Sequence, residues 1–241
     1  MTRRILTIAL AAGLLAGLAA CESSQDKSKR LEKNGAKLDK EKGLEVTEEN
    51  RDVKVSATTT LQDENGTAVV VSMRNGSTQP LAQVPVLVDL AGANGKSVYT
   101  NATPGLDVSL VRVLLLEPGA EFEWINDQVA APGKPGRLTV KIGAADPPAA
   151  RLKPMEIKDT SLRTDPVDGV QAIGQVVNPN PVEQKRLIIF VVGRKGGKIV
   201  AAGRSIIERL RPNKPTRFFT FFIGNPTGAK LSYAAPPTTL K

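Results

Sequence analysis

The single thiol of this 241-residue chain is Cys21, and no residue is histidine. A cysteine does its chemistry as a thiolate, and a lone one has no partner for an intrachain disulfide. Without an imidazole there is no Ser-His-Asp triad, no Cys-His pair and no histidine metal ligand. What remains is a Ser-Lys pair or paired carboxylates. No Ser and Lys stand at a recognisable spacing, and Asp63, Glu64, Asp107, Glu117 and Asp168 sit in polar, turn-like surroundings. Asp63-Glu64-Asn65 offers too few oxygen ligands for a calcium loop. Gly193-Arg194-Lys195-Gly196-Gly197 reads as a hairpin turn, because no helix follows that could carry a phosphate. These residues imply no cofactor and no metal, and an enzyme ranks last among the function classes.

What precedes Cys21 gives the thiol a different use. Thr2-Arg3-Arg4 is a basic start, and residues 5–20 form an uncharged apolar run of 16 residues. A membrane-spanning helix needs about 20 such residues, so the run reads as an export signal ending in small residues. Leu18-Ala19-Ala20-Cys21 resembles the bacterial lipobox. The resemblance implies cleavage before Cys21, diacylation of its sulfur and often acylation of the new amine. More than one acyl chain is needed for stable anchoring. Arg3-Arg4 partly resembles a twin-arginine signal, so both export routes stay open. By resemblance to Gram-negative lipoproteins, Glu22 permits outer-membrane sorting. The expected location is a membrane, lipid-anchored and facing the periplasm or exterior, with inner or outer membrane undecided.

Residues 1–20 are thus a signal peptide, and 21–50 carry the anchor and a tether. Residues 22–50 hold 8 acids and 7 bases and no aromatic residue, too little apolar surface to offset their ordering entropy. Beyond them the chain repeats itself. Gly66 precedes Asn75 by nine residues, as Gly169 precedes Asn178. Gly95-Lys96 recurs as Gly197-Lys198, and Leu116-Glu117-Pro118-Gly119 recurs in part as Leu210-Arg211-Pro212. The first copy has about eight extra residues near 101–108, read as a loop. Fixed-offset repeats mean repeated structural units. Turn residues every 8–12 positions between alternating apolar runs predict two tandem antiparallel β-sandwich modules, 51–147 and 148–241, in an all-β chain. Gly66 and Gly169 suit hairpin turns, and Asn75 and Asn178 each start a turn.

The strand order and the G-x-V-x-N pattern of Gly174-Gln175-Val176-Val177-Asn178 are similar to the FxLYD domain and related immunoglobulin-like modules of bacterial envelope proteins. Phe190-Val191-Val192-Gly193-Arg194 stands at the F-x-L-Y-D position without its Tyr and Asp, and Val88-Asp89-Leu90-Ala91-Gly92 departs further. The resemblance implies non-enzymatic adaptors or spacers.

Charge and aromatics are unevenly spread. Residues 51–147 hold 10 acids and 8 bases, whereas 148–241 hold 6 acids and 16 bases. The densest stretch includes Lys185, Arg186, Arg194, Lys195, Lys198, Arg204, Arg209 and Arg211. Such a surface attracts anionic partners. Five of six phenylalanines lie in the second module, and 187–192 and, apart from Thr220, 218–223 are apolar on both faces. A half-exposed strand should alternate. The second face is therefore covered by the module's own loops, by the first module or by a partner. These asymmetries suggest a partner-binding surface built from the basic residues together with Leu187, Ile189 and Phe219. The expected partners are the membrane through the anchor and an anionic envelope polymer, lipid head groups or an envelope protein, but not nucleic acid. The function expected is a non-enzymatic binding or spacer lipoprotein. The alternative is a subunit of an envelope assembly or transporter.

Overall fold

A computed structural model describes residues 42–147, 152–165 and 169–240. The expected signal segment, Cys21 and the expected tether up to residue 41 lie outside them, as do residues 148–151, 166–168 and 241. The described chain is almost wholly antiparallel β, with one 3-10 turn at Val108–Leu110. Its first half contains β1 (Val53–Asp63), β2 (Gly66–Asn75), β3 (Leu81–Gly92), β4 (Ser97–Thr100), β5 (Arg112–Leu116), β6 (Glu121–Asn126) and β7 (Pro135–Ile142). Its second half contains β8 (Glu156–Asp165), β9 (Gly169–Val177), β10 (Gln184–Lys195), β11 (Lys198–Leu210), β12 (Thr216–Phe221), β13 (Ile223–Gly224) and β14 (Lys230–Ala234). No helix among the described residues is long and apolar enough to cross a membrane.

Strand order recurs between the halves. β1-β2-β6 form one sheet, and β3 carries β4 and β5 on one edge and β7 on the other. Likewise β8-β9-β12 form one sheet, and β10 pairs with β11 on one edge and β14 on the other. The edge strands β1 and β8 each carry a bulge, between Val55 and Ala57 and between Lys158 and Ser161. Bulges twist an edge away from further pairing.

The repeated asparagines do more than start turns. Asn75 is fully buried, and its Nδ2 donates to the Gln79 carbonyl at 2.8 Å and the Leu116 carbonyl at 3.0 Å. Asn178, also fully buried, donates to Val182 at 2.8 Å and Leu210 at 3.3 Å. Each Oδ1 accepts from the amide two residues on, Ser77 or Asn180, at 2.9 Å. The Asn75 carbonyl accepts from Gly119 and the Asn178 carbonyl from Asn213, both at 2.8 Å. Gly119 has φ +68° and Asn213 φ +54°, a left-handed conformation that glycine and asparagine tolerate best. Each asparagine thus ties a turn to the Leu-x-Pro strand end across the sandwich.

Two apolar cores result, and they share one strand. Leu187, Ile189 and Val191 of β10 pack with Ala172, Val176 and Phe218 in the second core. Ile188, Phe190 and Val192, on the opposite face, join the first core with Val84, Trp124 and Phe122. The Phe122 and Phe190 rings meet edge to face, with centroids 5.1 Å apart. The first half is what covers the second face of β10. β12 alternates after all, with Phe218 and Thr220 buried and Phe219 and Phe221 exposed.

Residues 42–241 form one compact unit, so the folded body starts before residue 51. Glu49 bridges to Gly143, and the Asn50 amide donates to the Ile142 carbonyl at 2.9 Å. The Asn50 side chain then accepts from the Asp52 and Val53 amides. The last residues of the expected tether are therefore pinned to the first half.

Candidate functional site

The extra residues near 101–108 build a seam. Asn101 is fully buried, accepts from the Val88 amide at 2.8 Å, and donates to the Val86 and Leu110 carbonyls at 2.7 and 2.8 Å. It fills the gap where β4 ends and β5 has yet to begin. The turn that follows presents Asp107 and Ser109 to the second half. Arg186, held at φ +47°, donates to Asp107 at 2.6 Å and to Glu208 at 2.9 Å. Burial pushes the Asp107 carboxyl up, but the Ser109 and Arg186 hydrogen bonds outweigh it and hold the group below its ordinary range. Asn101-Ala102-Thr103 and Asn75-Gly76-Ser77 match a glycosylation pattern by chance, since both asparagines are buried and hydrogen-bonded.

Deeper in the seam, Arg204 is the most buried cation of the basic stretch, with 3% of its side chain exposed. Its Nε donates to Asp127 Oδ1 at 2.8 Å and its Nη1 to Ser109 Oγ at 2.8 Å. Ser109 in turn accepts from the Trp124 indole through its carbonyl at 2.9 Å. Nearby, the Asn126 amide donates to the Tyr99 hydroxyl at 2.7 Å, and burial raises that phenol above its ordinary value. Arg194 pairs with Glu123, again across the halves.

The basic residues therefore do not form one rim. Arg186, Arg194 and Arg204 face the first half's acids. Arg209 is held by Glu183 at 3.0 Å. Lys195 and Lys198 are exposed at the β10-β11 turn, while Lys185 and Arg211 are exposed at the other end of those strands. Leu187 and Ile189, expected at a contact surface, are 0% exposed and belong to the core. Their strand is apolar on both faces because both faces are buried. Cys21 lies outside the described residues.

Phe219 alone of the expected apolar contacts is at the surface, 49% exposed, and Phe221 beside it is 53% exposed. Both stand on the outer face of β8-β9-β12. Phe219 pairs in register with Ile173, and the Arg163 guanidinium lies over its ring at 5.9 Å. Arg217, next along β12, is exposed. Phe221 is legible in the same apolar stretch as Phe219, whereas Arg163 comes from another strand and has no local signal. Two neighbouring half-exposed phenyl rings thus stand on one strand face.

Phe221 also borders a groove of about 900 Å³ between the β1-β2 hairpin and the β12-β13 segment, lined by Asp63, Glu64, Asn65 and Asn225 among others. Asp63 accepts from the Gly224 amide at 2.7 Å and from the Asn65 amide at 2.8 Å, and Asp127 is engaged by Arg204. These carboxylates thus serve the joint between the halves. Among the described residues, no group of three or more Cys, Asp or Glu is placed to hold a metal ion. Compared with known proteins, the chain matches no protein-family model, and a search of curated proteins found no match.

Proposed function

We propose that this is a lipid-anchored envelope protein, tied to a membrane through Cys21, whose two tandem immunoglobulin-like modules act as a non-enzymatic binding or spacer body. The anchor reading rests on Leu18-Ala19-Ala20-Cys21 after an uncharged apolar run. The tandem reading is supported by the recurring strand order and by the matched asparagine clamps at Asn75 and Asn178. The observation that carries the binding role is the exposed pair Phe219 and Phe221 with Arg163 and Arg217 around it. The proposed contact surface is thus the outer face of β12, in place of the β10 residues that fill the cores. The seam serves the role by holding the second half at a fixed angle to the tethered first half.

A photo-crosslinking residue at position 221, in cells, tests the role. Adducts at 221 well above those at the buried control position 125 are expected. Equal labelling at both positions contradicts a contact surface there.

A further inference from the structure

We propose that the outer face of β8-β9-β12, led by Phe219 and Phe221, lies against the anionic phospholipid surface of the membrane that holds the chain. The inference rests on the anchor reading above and names the partner of the β12 face.

Four observations favour a lipid surface. First, the two exposed phenyl rings are one residue apart in the alternation of a single strand, so both can enter the same plane of an interface. Second, the charge fits. β8, β9 and β12 carry three cations and three carboxylates, and a positive excess comes from Lys153, Arg211 and Lys214 at the end of the sheet where β8 and β12 begin. Two of those carboxylates, Glu156 and Asp165, are already paired with Lys158 at 2.7 Å and Arg163 at 3.4 Å. Lys153, Arg211, Lys214 and Arg217 have no ion-pair partner among the described residues. Each cation near an anionic bilayer strengthens attraction about fivefold.

Third, a second copy seated on this face with the two positive ends together would be repelled there. Fourth, the membrane is within reach. The 21 peptide links from Cys21 to Lys42 span at most roughly 75 Å at full extension. That keeps the body at high effective concentration beside the bilayer, so a weak face suffices. The Arg163 guanidinium, 5.9 Å from the centre of the Phe219 ring, sets a cation beside that ring.

The test uses the full lipidated chain with Phe221→Trp, reconstituted into vesicles of phosphatidylcholine and phosphatidylglycerol whose acyl chains carry bromine as a quencher. The native Trp124 is fully buried and serves as the internal control for folding. Strong quenching of the Trp placed at 221 is expected, with Trp124 unaffected in the parent chain. Adding Arg217→Gln should lower the docking equilibrium about fivefold, and vesicles of phosphatidylcholine alone should lower it further. Quenching no greater than that of Trp124 overturns the proposal, as does quenching indifferent to lipid charge. Crosslinks between copies through position 221 in place of quenching overturn it in favour of self-association. Flotation with the vesicles reads the anchor separately. A Cys21→Ala chain that floats as well as the parent defeats the anchor while leaving the quenching result to decide the face.

Discussion

Arg204 and Asp127 form a nearly buried ion pair, 2.8 Å from Nε to Oδ1, that joins the two halves of the chain across 77 residues of sequence. The same arginine reaches Ser109 in the first half's extra loop. A cation that composition alone assigns to a solvated surface is therefore spent inside the molecule. Asp127→Ala leaves the Arg204 charge nearly buried with the Ser109 hydroxyl in place of a carboxylate and should cost about 3–5 kcal/mol. Urea unfolding followed by circular dichroism measures it. A loss below about 1 kcal/mol would mean that the halves are not held by this pair.

Phe190 is the apolar counterpart of that pair. It grows from the second half, yet packs in the first half's core against Phe122. Phe190→Ala should destabilise by about 3–5 kcal/mol and loosen both halves together, as buried aromatic truncations do. Phe219→Ser on the exposed face should stay within about 0.5 kcal/mol. Parallel melting curves check the contrast. Equal losses at the two positions would contradict the assignment of Phe219 to an open surface.

The asparagine clamps make a matched pair of predictions. Asn75→Ala and Asn178→Ala each remove donors from two carbonyls in or near the core. Each should cost about 1–3 kcal/mol, the penalty of leaving buried acceptors unsatisfied. Asn→Asp at either site should be no better, because a carboxylate cannot donate to those carbonyls. Chemical denaturation of the four variants reads the result, and a neutral Asn178→Ala would show that its turn holds without the clamp.

Asp107 gives the seam a pH dependence of known sign. Its carboxyl is held below the ordinary value of 3.8, so its contribution is complete above that value and disappears as pH falls through the lower folded value. The seam around Asp107 also presents Arg186, Ser109 and, beyond them, Glu208. Asp107→Asn should therefore be less stable than the parent at pH 7. The gap should narrow below about pH 4 and close in stronger acid. Stability measured from pH 7 to pH 2 checks this, and a gap that widens in acid would reverse the sign of the argument.

Much of the architecture is legible in the residue pattern itself. Period-two runs, Asn-Gly and Asp-Gly turns and the nine-residue Gly-to-Asn spacing mark the strands in their order, because these signals are local. The extra loop near 101–108 is visible as a mismatch between copies. Its purpose is not, since Asp107 and Ser109 find Arg186 and Arg204 only after folding. The double-faced apolar run at 187–192 correctly demands a cover for its second face. It cannot say that the cover is the first half, so Leu187 and Ile189 read as contact residues although they are core. Phe219 is exposed because β12 alternates, with Phe218 and Thr220 turned to the core and Phe219 and Phe221 to the outer face.

Mass spectrometry of the N-terminal peptide from membrane-extracted protein decides whether Cys21 is the lipidated N-terminus. The expected peptide begins at Cys21 and carries a diacylglyceryl group on sulfur. A peptide that begins elsewhere, or an unmodified Cys21, would contradict it.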